Sequence, residues 1–198
     1  LAGWKTGNGA EFPGAKVSLD VDPGESRSGA HALKMHGDFT GGGKYVEANY
    51  AFDPAIDIQD LSLWVKHPGA DELTIRIIDA TEQCHQLKLI IEPTGDWQQV
   101  RFPLAAYFRN MGTPQAVPGV KQYQKWNGAN DGKWHHPVRL IELMLNTRSH
   151  EGNMPDLIIS DLRAEVNGAQ LIVSPSGDGN GTLDVEITVT ALRRWHPR

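Results

Sequence analysis

The sequence predicts an all-β antiparallel sandwich with a short β extension at its C-terminal end, and three observations carry that expectation. First, residues 60–104 alternate. Leu61, Leu63 and Val65 are interleaved with Ser62, Trp64 and Lys66, and Leu73, Ile75 and Ile77 with Thr74, Arg76 and Ile78. Leu87, Leu89 and Ile91 are likewise interleaved with Gln86, Lys88 and Ile90, and Val100, Phe102 and Leu104 close the series. A period of two turns one face of each strand to a core and the other to solvent or a ligand. Second, Pro68-Gly69, Asp79-Ala80-Thr81 and Pro93-Thr94-Gly95 divide these runs with residues suited to turns. Third, no helical period interrupts the succession of short strands, which is the pattern of a sandwich.

The remaining elements follow in chain order. Ala15–Val21 and Ala30–Met35 read as strands, divided by Pro23-Gly24 and Ser28-Gly29. Gly41-Gly42-Gly43 is a hairpin tip; without a following Lys-Ser/Thr and helix it is no phosphate-binding loop. From Lys44 to Phe52, Val46, Ala48, Tyr50 and Phe52 take the core side, and Tyr45, Glu47 and Asn49 face outward. Residues 105–137 read as one long irregular stretch holding Tyr107, Tyr123, Trp126, Trp134, His135 and His136. Loops of that length are uncommon in compact domains and are often functional. Val138–Asn146 returns to strand, with Ile141, Leu143 and Leu145 inward and Glu142 and Met144 outward, and Asp156–Val166 is the last strand of the sandwich. Leu171–Val173 and Leu183–Val189 flank a Ser/Gly/Asp-rich turn, so residues 167–198 are expected to form a hairpin tail or the start of a following domain.

Composition narrows the function classes. The 198 residues suffice for one large sandwich, or a sandwich with a short appendage. A formal net charge of −5 provides no basic footprint, so nucleic acid is not an expected partner. Cys84 is the only cysteine, which rules out an internal disulfide and leaves the compartment open. No apolar run approaches the length of a membrane span. Leu1, in place of a start methionine, reads as a cut end from which a leader or an upstream domain has been removed.

Five stretches, in their order, resemble a known family. They are Ser28-Gly-x-x-x-Leu33-Lys34, Leu61-x-Leu-Trp-Val-Lys66, Leu73-x-Ile-x-Ile-x-Asp79, Gly95-Asp-Trp-Gln-Gln-Val-x-Phe-Pro-Leu104 and Ile158-Ile-Ser-Asp-Leu162. Together, over residues 1–166, they are similar to the galactose-binding-like jelly roll of carbohydrate-binding modules attached to glycoside hydrolases. The resemblance implies glycan binding on a concave sheet or at the loops joining the strands. It also implies a structural Ca2+ between an early loop, here at Ser28, and the acid of the last strand, here Asp161. Where the family carries two acids in a row, this chain has Ser160-Asp161, and the family's acid of the first strand falls at or before Leu1.

Sugars are recognised by an aromatic plane against their C–H faces and by planar polar groups that pair with their hydroxyls. The outward residues Tyr45, Glu47, Asn49, Arg76, Gln86, Lys88 and Glu142 offer that chemistry, and a solvated face of cross-strand ion pairs is the other reading. If 73–78 and 86–91 form a hairpin, Arg76 and Lys88 become neighbours, and their repulsion calls for Glu47, Glu142 or an anionic sugar nearby. Trp126 and Trp134 either meet a glycan or anchor their loop. Glu47 and Glu142 are also the one carboxylate pair to nominate for glycoside hydrolysis, and exposed, ordinary glutamates are the expectation for both. No histidine falls at a zinc-ligand spacing. Cys84 reads as a buried thiol, and the acidic turn from Asp178 to Asp184 as a hairpin turn, since Ile187 stands where a calcium loop needs its last acid.

These readings converge on a non-catalytic carbohydrate-binding or accessory module of a polysaccharide-degrading enzyme. Its expected partners are a polysaccharide or oligosaccharide and a catalytic domain of the same polypeptide, in a secreted, periplasmic or cell-surface bacterial setting. Two alternatives stand beside it. One is a structural module that packs against a hydrolase barrel. The other is a catalytic jelly roll, a lyase or hydrolase in which Arg76, His85 and Tyr45 converge.

Overall fold

The computed structural model describes residues 3–27, 31–102, 104, 118–147, 152–166, 169–177 and 183–191. Thirteen strands make up the regular structure there: β1 (Trp4–Gly7), β2 (Lys16–Asp22), β3 (Ala32–Asp38), β4 (Tyr45–Ile56), β5 (Ile58–Lys66), β6 (Glu72–Ile78) and β7 (Cys84–Ile90), then β8 (Gln98–Phe102), β9 (Val120–Trp126), β10 (Val138–Asn146), β11 (Asp156–Val166), β12 (Ala169–Gly177) and β13 (Leu183–Ala191). They form two antiparallel sheets. One has six strands in the order β1-β4-β10-β6-β7-β9. The other has seven: β2-β3-β11-β12-β13 form one path, β5 lies along the other edge of β11, and β8 lies beyond β5.

The alternation of 60–104 has the expected result. Leu61, Leu63, Val65, Leu73, Ile75, Ile77, Leu87, Leu89, Val100, Phe102 and Leu104 are all buried in one apolar core between the sheets. Burying a side chain such as Leu73 or Ile75 contributes about 1.5–3 kcal/mol. The opposite phase takes the residues that face away, ending in Ile90, which is exposed.

Two strands depart from the sequence reading. β1 forms at Trp4–Gly7 and pairs with β4. β9 forms within the stretch read as irregular and pairs with β7 along the sheet edge. Both are edge strands. An edge strand needs few inward apolar side chains, so its alternation is faint: in β9 Val120 and Tyr123 pack on the core, among glutamines and lysines. Residues 105–117 lie outside the described residues.

β11 changes partner midway. Asp156–Ile159 pairs with β3, Leu162–Val166 pairs with β12, and the register to β5 shifts between Ser160 and Arg163. Asp161 stands at that break with φ 52°, in the left-handed region that ordinary residues seldom occupy. β12 pairs antiparallel with β13, and β12 continues the second sheet through β11.

Candidate functional site

Residues directly opposed in antiparallel strands share a face. The registers of the six-stranded sheet therefore set a row across all its strands, away from the core: Lys5, Asn49, Glu142, Arg76, Gln86 and Gln124. A second row holds Glu47, Met144, Thr74, Lys88 and Gln122, and Tyr45 lies one step further along β4. On the other side of the first row come Ala51, Leu140, Ile78, Cys84 and Trp126. The seven outward residues Tyr45, Glu47, Asn49, Arg76, Gln86, Lys88 and Glu142 thus meet on one face, and Trp126 joins them from β9. The face is packed at its centre, not simply solvated: Thr74, Cys84 and Met144 are buried there. Burial pushes the Cys84 thiol up to about 12, so it is an inert filler.

Arg76 organises this face. Its Nε donates to Gln86 Oε1 at 2.8 Å, and its Nη1 lies 3.5 Å from Glu47 Oε2 and 3.3 Å from Glu142 Oε2. The guanidinium carbon lies 4.9 Å from the Tyr45 ring centre and 5.2 Å from that of Trp126, rings carried two strands away on either side. The Tyr45 hydroxyl donates to Glu11 from the loop between β1 and β2. The expectation of exposed, ordinary glutamates is overturned, since Glu47 and Glu142 are only 17% and 13% exposed. Burial first, and Glu142 second, push the Glu47 carboxyl up to about 7 against the opposing pull of Arg76. One cation thus serves two shielded carboxylates.

Lys88 is not a neighbouring cation in need of an anion. The hairpin register sets Arg76 opposite Gln86 and Lys88 opposite Thr74, and the Lys88 ammonium turns to Glu72 at 2.7 Å. A Gln86–Gln124 amide hydrogen bond of 2.8 Å extends the polar row toward the edge.

Beside the row opens a cleft of about 790 Å³. Its lining combines an apolar strip of Ala51, Ile78 and Leu140 with Glu142, Glu82 and Asn127. Arg139, also in the lining, is ion-paired with Glu82. Apart from Glu142, sequence reasoning missed these lining residues, as well as Glu11 and Gln124. The one available signal was the spacing Gln122-x-Gln124-x-Trp126, a period of two hidden in polar residues.

His85 and Trp134 belong elsewhere. His85 alternates with Cys84 and Gln86, so it points to the core side, where it is fully buried. Its Nδ1 lies 2.8 Å from the Tyr123 hydroxyl and its Nε2 3.1 Å from Asp79 Oδ2, while burial lowers its pKa and keeps the ring neutral. Arg76, Tyr45 and His85 therefore do not converge, and the lyase constellation is absent. Trp134 packs on His85, with ring centres 5.4 Å apart, and against the core. It anchors its loop instead of joining the face.

That loop is tied down by Gln83. The Gln83 side chain donates to Lys133 O at 2.7 Å and accepts from Gly132 N at 2.9 Å. Gly128 fits against the same turn so closely that a Cβ there would lie 2.2 Å from Gln83 N. The docking fixes Asn127 at the cleft and follows directly on Trp126.

Of the expected calcium ligands, Ser28 lies outside the described residues. Asp161 is buried at the bulge of β11, with Arg163 Nη2 3.8 Å from its carboxylate. Arg27 N donates to the adjacent Ser160 Oγ at 3.1 Å, which brings the early loop to this point. Among the described residues no three His, Cys, Asp or Glu side chains gather to hold a metal.

Among solved structures the chain is similar to the family 11 carbohydrate-binding module from Clostridium thermocellum, determined with a β-1,3-1,4-mixed-linked tetrasaccharide. The match has a TM-score of 0.51 at 18% identity and covers 83% of this chain and 89% of that one. The chain has the jelly-roll fold of carbohydrate-binding modules. A family 30 carbohydrate-binding module matches 98% of this chain and 84% of its own, at 13% identity and a TM-score of 0.50. An exo-β-agarase matches 84% of this chain at 14% identity and a TM-score of 0.53, and there the matched part is 24% of the longer protein. No family model matches the sequence, and no curated relative does.

Proposed function

We propose that this jelly roll is a non-catalytic glycan-binding module, and that its ligand lies on the outer face of the six-stranded sheet. One observation carries the reading: Tyr45 and Trp126 stand on either side of a continuous polar row, beside an open cleft. The rings supply planes for sugar C–H faces, and Asn49, Glu142, Gln86 and Gln124 supply acceptors and donors for hydroxyls. The raised Glu47 beside Glu142 invites comparison with a hydrolytic acid pair. Arg76 Nη1 lies within 3.5 Å of both carboxylates, however, and fills the ground that a scissile bond and its water need.

The proposal extends to an accessory role in a secreted or periplasmic bacterial polysaccharide-degrading enzyme, supported by the match to one segment of a longer agarase. A structural calcium at Asp161, completed by oxygens of the early loop, is proposed with it. Calorimetry against a panel of soluble polysaccharides and oligosaccharides tests the binding function. At least one glycan should bind, and Trp126→Ala should cost roughly tenfold, about 1.4 kcal/mol, without unfolding the protein. Absence of binding across the panel would favour a structural module, and full affinity in Trp126→Ala would remove this face as the site.

A further inference from the structure

Resting on the glycan-binding reading of this face, we infer that the site takes uncharged glycans and excludes uronic, carboxymethylated and sulfated ones. An arginine at the centre of a sugar site suggests an anion reader, because its fork matches a carboxylate or sulfate. Here its charge is already met by two of the protein's own carboxylates. A guanidinium has five N–H groups. The Nε–H goes to Gln86, and Nη1 faces both Glu47 and Glu142. The rings of Tyr45 and Trp126 lie against the guanidinium as well. An incoming anion that approaches the guanidinium meets the Glu47 and Glu142 carboxylates beside it.

The surroundings reinforce this. Glu11 reaches the face through Tyr45, and Asp53, Glu82 and Glu142 line the cleft, against Arg139, which is paired with Glu82. Two other nearby cations are committed: Lys88 lies 2.7 Å from Glu72, and Lys121 lies 3.0 Å from Asp71 and 3.2 Å from Glu72. Lys5 stands beyond Asn49, on the edge strand. A ligand in the cleft therefore meets acceptors and negative charge. A neutral sugar can donate its hydroxyls to those acceptors, whereas an acidic sugar is repelled by them.

The experiment compares one backbone in two charge states. A soluble neutral β-glucan and its carboxymethylated form, and neutral agaro-oligosaccharides and their sulfated counterparts, are titrated into the whole chain by calorimetry at low and high salt. The neutral member of a pair should bind with an affinity nearly indifferent to salt, and the acidic member at least tenfold more weakly. The residual binding of the acidic member should strengthen as salt screens the repulsion. Glu142→Gln, which removes one charge and releases one Nη1 donor, should improve the acidic member relative to the neutral one by several-fold. An acidic glycan that binds as tightly as its neutral form, and weakens with salt, overturns the inference. The wild-type salt series decides the matter even if the variant misfolds. Failure of every member to bind is a different result, and it removes the glycan-binding reading and this inference together.

Discussion

Glu47 makes the stability of this protein depend on pH in an unusual direction. Its carboxyl titrates near the ordinary 4.5 in an unfolded chain and at about 7 in the folded one. The folded state therefore holds that proton more tightly. The contribution is complete below pH 4.5 and is lost as pH rises through 7. At about 1.36 kcal/mol per unit, the loss by pH ~8 is at most about 3 kcal/mol. Glu47→Gln replaces the protonated carboxyl with an amide of the same shape, so it should leave stability near pH ~4 almost unchanged and raise it by about 1–3 kcal/mol near pH ~8. His85 complicates the wild-type curve. Its folded pKa is lowered from 6.5, so it adds a cost as pH falls through that range, opposite in sign to Glu47. Both proteins carry His85, and its contribution cancels in their difference. Urea denaturation of wild type and Glu47→Gln across the range measures that difference directly. A difference that stays flat from acid to alkaline pH would refute the claim that two shielded carboxylates share one guanidinium.

Two further predictions concern parts of the fold that support the face. Gly128 has φ 51°, and a Cβ there meets Gln83 N at 2.2 Å and Thr81 O at 2.5 Å, so Gly128→Ala should destabilise by about 2 kcal/mol or more. Thermal melting checks this, and an unchanged melting temperature would mean that the loop is not docked on the β6–β7 turn as described. Calcium at a hundredfold excess over its dissociation constant should add about 2.7 kcal/mol of stability, an increment that Asp161→Ala should abolish. Identical melting curves in calcium and in chelator would sink that site.

The layers of this fold were legible because each central strand has a buried side that must be apolar. From Leu61 to Leu104 the alternation leaves one choice of inward face, and the same constraint placed Tyr45, Glu47, Asn49, Arg76, Gln86, Lys88 and Glu142 outside. Which strands lie side by side was not legible. β4 and β10 join Glu47 and Glu142 to Arg76 across long sequence separations, and a period of two says nothing about neighbours. The edge strands were missed for a related reason: β1 is four residues long and β9 is mostly polar, so neither carries a strong pattern.

The burial of the glutamates was illegible for a different reason. A strand pattern distinguishes core from outside, but the outside of this sheet has a floor of its own. Thr74, Cys84 and Met144 lie beneath the longer side chains, which shields Glu47 and Glu142 while still leaving them on the cleft side. Such a floor cannot be read from alternation, because it depends on side chains from five strands lying over one another. It would also suit the face to the glycan recognition proposed for it. Carboxylates held by Arg76 in partly shielded positions are already ordered and partly desolvated, so a sugar hydroxyl that pairs with them incurs little further cost in either respect. An open sheet of fully hydrated ion pairs would have to shed water and lose side-chain freedom before it could make the same contacts.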